Sequence, residues 1–208
     1  MLGELPVELI DLQGAWHREG RSISDGPAAE VADVLWLQVG RHFCDLRTPH
    51  PRTDATSILD LPQAFSGTVQ VSGGAISFHH DLDSLRRDPA RPDEGTVHRK
   101  DDVMFERGPD FEERWVLVAR PGAHIGCAEL RRGGSTLTAR LVRVGPVALA
   151  VWGGTSPGGA HYAQERQWGT ERSLGESDPT MEVDRAARSM GDGTPLPAGW
   201  IVVDQEVV

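Results

Sequence analysis

The sequence predicts an all-β protein whose strands follow one another as a closed antiparallel meander. Short apolar segments recur from residue 11 to residue 151, and most of them end at a glycine or a proline. Two glycine pairs, Gly73-Gly74 and Gly133-Gly134, separate strand-like runs, and paired glycines supply the positive φ that two-residue turns require. Strands repeated about every ten residues are typical of sandwiches and barrels. We therefore expect an antiparallel barrel of about eight to ten strands.

The first half of the chain supplies four or five of these strands. Residues 11–18 are predicted as the first strand, and a polar loop containing Gly26-Pro27 follows it. Residues 34–39 form the next strand, and a tight turn at Gly40-Arg41 reverses the chain into residues 43–47. The prolines of residues 48–56 indicate a loop before the Gly73-Gly74 hairpin.

The second half continues the same alternation of strand and turn. Residues 96–98 and 102–107 are predicted as a hairpin, and residues 111–120 form a longer strand that ends at Pro121-Gly122. Residues 125–131 and 136–144 flank Gly133-Gly134 as another hairpin. Gly145-Pro146 then turns the chain into a strand over residues 147–152.

Beyond residue 152 the composition changes. Residues 161–168 are predicted to add a strand, and residues 200–208 form a final one that packs on the barrel or completes it. Residues 180–190 are predicted as a short C-terminal helix, because Asp178 can cap it and Gly191 can end it. We expect one domain over residues 1–208, with a barrel core at residues 11–152 and an extension at residues 153–208.

Charge and composition narrow the range of partners. The 208 residues carry a formal net charge of −10, and no cluster of Arg or Lys suggests nucleic-acid binding. No segment approaches the roughly 20 apolar residues of a membrane helix, and the first residues lack the pattern of a secretory signal. These observations predict a cytoplasmic protein that binds neither nucleic acid nor membrane. Cys44 and Cys127 are expected to be two buried thiols, with a disulfide as the alternative in an oxidising compartment.

Strand alternation predicts which side chains share the barrel interior. Neighbouring residues of a strand point to opposite faces, so residues two apart share one face. One face of several strands combines aromatic side chains with isolated charges, as a small-molecule cavity requires. The alternative is that the polar face of the sheet contacts water. The expected inner residues are Trp36, Gln38, Phe43, Asp45, Arg47, Met104, Glu106, Glu113 and Trp115, together with His79.

These residues divide into two predicted roles. A carboxylate that aromatic side chains shield from water has a raised pKa and can transfer protons near neutral pH. The candidates for acid–base chemistry are Asp45, His79, Glu106 and Glu113. The candidates for ligand binding are Trp36, Gln38, Phe43, Arg47, Met104, Trp115 and Tyr162, the last at the mouth of the cavity.

The sequence contains none of the common catalytic or metal-binding motifs considered below. Neither a G-x-S-x-G elbow, nor a phosphate-binding P-loop, nor an H-E-x-x-H helix occurs in the sequence. In His79-His80-Asp81, only His79 and Asp81 share a face, and no third metal ligand follows at a suitable spacing. No metal and no cofactor is therefore expected.

Several segments resemble a known family. Gly14-Ala15-Trp16, with Arg18 close behind, resembles the G-x-W opening of the lipocalin-like calycins. Residues 34–38, 43–47 and 93–115 are similar to an intracellular branch that includes a fungal casein-kinase-interacting protein with lipocalin-like barrels. The resemblance implies a calycin barrel with a central cavity over residues 11–152, and it supplies no established catalytic residues.

Three functions remain open at this point. The first is a cytoplasmic protein that binds a small apolar or aromatic molecule in its barrel. The second is a cofactor-independent isomerase, cyclase or lyase of bacterial secondary metabolism that uses acid–base residues of the same cavity. The third is a protein-interaction module whose barrel is filled by its own side chains. An enclosed volume of a few hundred Å³ favours the first two. The sequence does not predict an oligomeric state.

Overall fold

A computed structural model shows two antiparallel β-structures, a closed eight-stranded barrel and a six-stranded sheet. The structure describes residues 6–23, 26, 30–50, 62–88, 90–122, 124–132, 136–153, 160–167, 170–174 and 199–204. The predicted mainly-β class and antiparallel barrel are confirmed, and the strand number of the barrel lies in the expected range.

Each barrel strand pairs with the next one along the chain, and β8 returns to pair with β1. The strands are β1 Gly14–Ile23, β2 Ala32–Val39, β3 His42–Pro49, β4 Gln63–Ser72, β5 Ala75–Asp83, β6 Asp93–Lys100, β7 Val103–Arg107 and β8 Phe111–Ala119. The predicted Gly73-Gly74 turn joins β4 to β5, and both glycines have positive φ, at 60° and 83°. The barrel is therefore an up-and-down meander, as the sequence predicts.

The second sheet differs from the predicted barrel core at residues 11–152. Its strands are β9 Ile125–Arg132, β10 Thr136–Val144, β11 Val147–Gly153, β12 Ala160–Gln167, β13 Thr170–Leu174 and β14 Trp200–Asp204. They lie in the order β13-β12-β11-β10-β9-β14. The barrel ends at Ala119 because β8 already pairs with β1, which leaves β9 no barrel edge to join.

The end of the chain also departs from the expectation in part. The predicted final strand is present as β14, but it pairs with β9 of the second sheet and does not complete the barrel. The helix predicted over residues 180–190 lies outside the described residues. Within the described ranges, no helix has the length and apolar character needed to cross a membrane.

Strands β2 and β3 lie between the barrel interior and the second sheet. Leu35, Leu37 and Leu46 belong to one apolar cluster with Val142 and Leu149 of the second sheet. The alternate side chains of the same strands point into the barrel. Burial on both faces explains why residues 34–39 are almost entirely apolar, since neither face contacts water.

One end of the barrel is covered by the segment before β1. Residues Leu9–Leu12 form a 3-10 helix, and Leu12 packs into the interior cluster. The carbonyl of Leu12 accepts a hydrogen bond from Trp16 Nε1 at 2.7 Å. The guanidinium of Arg99 lies 5.1 Å from the Trp16 ring centre and donates to the Asp11 carbonyl. Any opening into the interior must therefore lie toward the other end.

Candidate functional site

A cavity of about 590 Å³ occupies the end of the barrel opposite the 3-10 helix. Its walls come from the ends of β1, β3, β5 and β7 and the beginnings of β4, β6 and β8. The residues Ser84–Asp88, between β5 and β6, contribute side chains to its mouth. The apolar lining is Trp36, Phe43, Phe65, Phe78, Leu85, Pro92, Pro109, Phe111 and Trp115, and the polar lining is Arg21, Asp45, Arg47, Gln63, His80, Arg87, Asp93, Glu94, Glu106 and Glu113.

Aromatic rings form the inner wall of this cavity. The ring centres of Trp36 and Trp115 lie 5.5 Å apart with planes at 75°. Phe78 meets Trp36 and Phe43 edge-on, in each case at 5.4 Å. Edge-to-face contacts fix the rings relative to one another and leave parts of their faces turned to the cavity. Three of the predicted binding residues, Trp36, Phe43 and Trp115, belong to this wall.

Asp45 and Arg47 lie two residues apart on β3 and both reach the cavity. Arg47 donates from Nε to Asp45 Oδ1 at 2.9 Å and from Nη2 to Asp45 Oδ2 at 3.3 Å. Burial opposes the charge of Arg47, but the nearby carboxylates of Asp45 and Glu113 outweigh it and raise the pKa of the guanidinium. The pair is an internal ion pair and not the surface pair that a solvated face would imply.

Glu113 is held by two arginines of β1. Arg18 Nη1 donates to Glu113 Oε1 at 2.6 Å, and Arg21 Nε lies 3.4 Å from the same oxygen. Residues three apart on a regular strand face opposite sides, but the β1–β8 register shifts between Arg18 and Gly20. Arg18 lies before the bulge at Glu19, and the bulge turns Arg21 toward the same acid.

The sequence prediction omitted Arg18 from the site. Its side chain is only 4% exposed, and it also contacts Glu30 Oε2 at 2.9 Å. The signal was present, because Arg18 shares a strand face with the buried Trp16. Arg21 had no comparable signal, since only the bulge brings it inside.

Among the described residues, Glu106 is the buried acidic group of the cavity that has no partner. It lies directly opposite Glu113 across the β7–β8 ladder and is 8% exposed. Among the described residues, none forms a hydrogen bond or ion pair with it. Burial first, and then the charge of Glu113, raise the pKa of Glu106 to about 8, although Arg47 acts in the opposite direction. The expectation of a carboxyl with a raised pKa in this barrel fits Glu106.

Trp115 presents an unpartnered hydrogen-bond donor to the cavity. Its side chain is 2% exposed, and its Nε1–H has no hydrogen-bond acceptor in the described part of the chain. A buried donor without an acceptor costs free energy, so such groups are uncommon in folded proteins. By contrast, Trp36 Nε1 donates to Gln38 Oε1 at 3.2 Å. Among the described residues, the cavity therefore offers free donors at Trp115 Nε1 and Arg21 Nε, a buried free carboxyl at Glu106 and an exposed one at Glu94.

The mouth of the cavity is organised around Arg87. Its guanidinium donates to Asp83 at 2.8 Å, to Asp93 at 2.5 Å and to His80 Nδ1 at 3.2 Å, and it stacks over Phe65 at 4.3 Å. His80 Nε2 contacts Asp93 Oδ2 at 3.2 Å. Burial raises the pKa of Asp93, but His80 and Arg87 outweigh burial and lower it. These contacts tie residues 84–88 to the rim of the barrel.

The predicted inward position of His79 is wrong, and its neighbour His80 takes that place. His80 lines the cavity, whereas His79 does not and pairs with Ser77 Oγ at 3.4 Å. The buried Ile76 and the cavity-lining Phe78 alternate with His80, and this apolar pattern marks their face as the inner one. The acid–base role suggested for His79 accordingly loses its geometric basis.

Three predicted binding residues do not line the cavity. Gln38 is buried behind Trp36 and donates from Nε2 to the Gly40 carbonyl at 2.7 Å. Met104 is fully buried in the interior cluster, also behind the lining. Tyr162 belongs to β12 of the second sheet, where its backbone pairs with Trp152, and its side chain lies outside the described part of the structure.

A metal centre is not evident in the described ranges. No group of three or more His, Cys, Asp or Glu side chains there is arranged to hold an ion. Asp81, which the sequence paired with His79, instead contacts Arg140 Nη2 at 2.7 Å on the second sheet. The arrangement in the cavity can bind a small molecule through aromatic contacts, or exchange a proton at Glu106.

Comparisons with known proteins bear on the fold. No family model matches this chain, and no curated protein matches it. A solved structure of an uncharacterized protein from Saccharomyces cerevisiae is similar over 93% of this chain and 98% of its own, with 14% identity and a TM-score of 0.61. A lipocalin-like protein from Bacteroides uniformis covers 51% of this chain and 98% of its own, at 16% identity and a TM-score of 0.40.

These likenesses concern architecture and not activity. The yeast structure matches nearly the whole chain, but at 14% identity it shows the fold alone. The link to the fungal casein-kinase-interacting branch therefore stays a prediction. The closed antiparallel meander of eight strands is by itself the up-and-down architecture that lipocalin barrels have, and the likeness to the yeast structure supports this architecture over nearly the whole chain.

Proposed function

We propose that this chain binds a small apolar or aromatic molecule in the barrel cavity. The observation that carries the proposal is a space of about 590 Å³ with aromatic walls and a few polar groups. Small-molecule sites have volumes of roughly 300–1,000 Å³ and this mixture of walls. A protein-interaction module with a filled barrel would lack such a space.

The proposed roles follow from contacts in the cavity. Trp36, Phe43 and Trp115 pack against the bound molecule, and the Asp45–Arg47 pair orients its polar part. Gln38 does not contact the bound molecule. Its Oε1 accepts a hydrogen bond from Trp36 Nε1 and thereby fixes the orientation of the indole. Binding would order few groups, since the rings already contact one another, and preorganised sites lose less entropy on binding.

The proposal places the protein in the cytoplasm, with a small molecule and neither nucleic acid nor membrane as its partner. Cys44 and Cys127 are both free and buried. Cysteines remain reduced in the cytoplasm, so free thiols are compatible with that compartment.

Two measurements test binding. Native mass spectrometry of freshly purified protein should detect a retained small molecule. Titration with the neutral fluorescent dye N-phenylnaphthylamine should give saturable emission.

The variant Leu85→Trp fills space at the cavity mouth and should reduce dye binding at least about tenfold. Val118→Trp adds the same indole at an exposed position of β8 and should leave binding unchanged. Absence of any saturable binding, or equal binding by the two variants, contradicts the proposal.

The acid–base enzyme remains a second candidate because of Glu106. A buried carboxyl with a pKa of about 8 can give or take a proton near neutral pH. The substrate to assay is the molecule that mass spectrometry recovers. Conversion of that molecule should fall at least about 100-fold in Glu106→Gln if Glu106 is the acid or base. Unchanged conversion in Glu106→Gln, Asp45→Asn and Glu113→Gln, made singly, excludes acid–base catalysis by these carboxyls.

A further inference from the structure

The charge distribution of the cavity points to a class of ligand. Among the residues that line it, five carry carboxylates and three carry guanidinium groups. Arg21 approaches Glu113, Arg47 pairs with Asp45, and Arg87 pairs with Asp83 and Asp93. Every lining arginine therefore lies beside a carboxylate; Arg47 and Arg87 are hydrogen-bonded to theirs, and Arg21 is the one whose Nε–H has no acceptor in the described part of the chain. With five acids against three arginines, the lining carries an excess of negative charge.

Glu106 stands out against this background. It is buried among the aromatic walls, and in the described part of the chain no side chain forms an ion pair with it. A buried carboxylate without a partner is costly, and a cation that pairs with it offsets part of that cost. The faces of Trp36, Phe78 and Trp115 favour positive charge as well, because aromatic rings attract cations to their faces.

We propose that the cavity selects aromatic molecules that carry a protonated amine, with Glu106 as the counter-charge. The aromatic part packs against Trp36, Phe43 and Phe78, and an oxygen of the ligand can accept the free Nε1–H of Trp115. This inference rests on the proposed binding function and specifies its ligand class.

Binding of an ammonium group requires the anionic form of Glu106. The charged groups that face Glu106 are Glu113 of β8, Asp45 and Arg47 of β3, and Asp93 of β6. Burial and the three acids favour the protonated carboxyl in the empty cavity, and Arg47 opposes them. An ammonium ion reverses this preference, so binding at pH 7 should release close to one proton per amine.

The test uses three probes that share one ring system and one chain length: naphthylethylamine, naphthylethanol and naphthylacetate. Calorimetric titration of the full-length protein at pH 7 should give at least about tenfold tighter binding of the amine than of the alcohol. The acetate should bind most weakly. Repetition in buffers of different ionisation enthalpy should show proton release for the amine and none for the alcohol.

Glu106→Gln should abolish the preference for the amine and the proton release, while alcohol binding persists. Glu112→Gln is the matched control, because Glu112 lies on the same strand as Glu113 but pairs with the exposed Arg107. It should bind all three probes as the wild type does. If Glu106→Gln does not fold, the relative affinities of the three probes and the number of protons released by the wild type still test the inference.

The outcomes distinguish the proposed selection of amines from the proposed binding of small molecules in the cavity. Equal binding of all three probes, tightest binding of the acetate, or a preference for the amine that survives in Glu106→Gln overturns the inference and leaves cavity binding intact. Failure of all three probes to bind, together with failure of N-phenylnaphthylamine, overturns the binding function itself.

Discussion

Glu106 and Glu113 are direct partners across the β7–β8 ladder, and both side chains point into the barrel. Like charges in this position destabilise a sheet. The surroundings treat the two acids unequally, because Arg18 and Arg21 approach Glu113, whereas Glu106 has no ion-pair partner in the described ranges. Burial and, after it, the charge of Glu113 favour the protonated form of Glu106 and raise its pKa to about 8.

The raised pKa of Glu106 predicts a pH dependence of stability. Its pKa rises from 4.5 to about 8 on folding, so the folded state binds the proton more tightly. This stabilisation is complete below the lower value and is lost as the pH rises through the upper one. Relative to Glu106→Gln, the wild type should lose about 1.4 kcal/mol of unfolding free energy per pH unit between these values.

Urea unfolding of the wild type and of Glu106→Gln between pH 5 and pH 8.5 measures this difference. All other titrating groups are common to the two proteins, so their contributions cancel when one unfolding free energy is subtracted from the other. Glu112→Gln, at a half-exposed position of β8, should follow the wild type at every pH. Parallel stability curves for the wild type and Glu106→Gln would show that Glu106 is ionised in the folded state.

Arg18 is predicted to be the most important single charge of the interior. Its guanidinium joins Glu113 at 2.6 Å and Glu30 at 2.9 Å. Arg18→Met leaves both carboxylates without this partner and should lower the unfolding free energy by about 3–5 kcal/mol. When Glu113→Gln is added to Arg18→Met, at least about 1 kcal/mol of unfolding free energy should be recovered, because one uncompensated charge is removed.

The control for Arg18 is Arg120→Met, which breaks an exposed pair with Asp102. Exposed pairs contribute about 0–1 kcal/mol, so Arg120→Met should be nearly neutral. Guanidinium-chloride unfolding monitored by circular dichroism gives the unfolding free energies of the wild type, of Arg18→Met with and without Glu113→Gln, and of Arg120→Met. A loss below about 1 kcal/mol in Arg18→Met would mean that the two carboxylates find other partners.

Strand alternation placed seven of the eleven predicted site residues at the cavity, but it did not identify the other twelve of the nineteen lining residues. Trp36, Asp45 and Trp115 lie inside because each has a period-two relation to other inner residues of its strand, and a regular strand preserves that relation. The method failed at Arg21, because the bulge at Glu19 brings that side chain inside and a bulge leaves little trace in one sequence. It failed at His79 without a bulge, since the strand is regular from Ile76 to His80 and the apolar Ile76 and Phe78 mark the face of His80 as the inner one.

The second sheet was missed for a different reason. Its strands have the same length, turns and apolar content as barrel strands, and sequence patterns describe strands without naming their partners. One clue was available in residues 34–39, where both faces are apolar. A barrel wall that is apolar on its outside must be covered, and β10 and β11 provide that cover.

Gly67 is predicted to be indispensable for the wall of the cavity. A Cβ at this position would lie 1.8 Å from the backbone oxygen of His79 and 2.9 Å from the Phe43 ring. Gly67 adjoins the bulge in the β4–β5 ladder, which brings the two backbones together. Gly67→Ala should therefore cost at least about 2 kcal/mol of stability and weaken dye binding.

Gly122→Ala is the matched control, because no atom lies within 4 Å of the added Cβ. This variant should have the wild-type midpoint of thermal unfolding and the wild-type affinity for the dye. A Gly67→Ala protein with an unchanged midpoint would show that β5 can move away from β4 at little cost.

The two cysteines are predicted to be inert in the folded protein. Burial raises the pKa of Cys44 to about 12 and also raises the pKa of Cys127. The thiolate is the reactive form, so a disulfide reagent at pH 8 should not modify the native protein within minutes. Two equivalents should react in denaturant, which matches the two cysteines of the sequence. Fast modification of the native protein would show that the contact between barrel and sheet opens readily.

Arg140 is predicted to connect the second sheet to the barrel. Its Nη2 lies 2.7 Å from Asp81 Oδ2 of the barrel and 2.6 Å from Glu129 Oε1 of the sheet, and its side chain is 2% exposed. The two carboxylates differ in environment, since Asp81 is 44% exposed and Glu129 is 5% exposed. Glu129→Gln should therefore cost about 2–4 kcal/mol, whereas Asp81→Asn should cost less than about 1 kcal/mol.

Chemical unfolding of the two variants gives this comparison directly. If the ranking is reversed, the contact between barrel and sheet depends mainly on the Asp81 ion pair and not on the buried one. The double variant Asp81→Asn with Glu129→Gln leaves Arg140 buried without either carboxylate. Its loss of stability should exceed the sum of the single losses, because each carboxylate can partly compensate for the other at the shared Nη2.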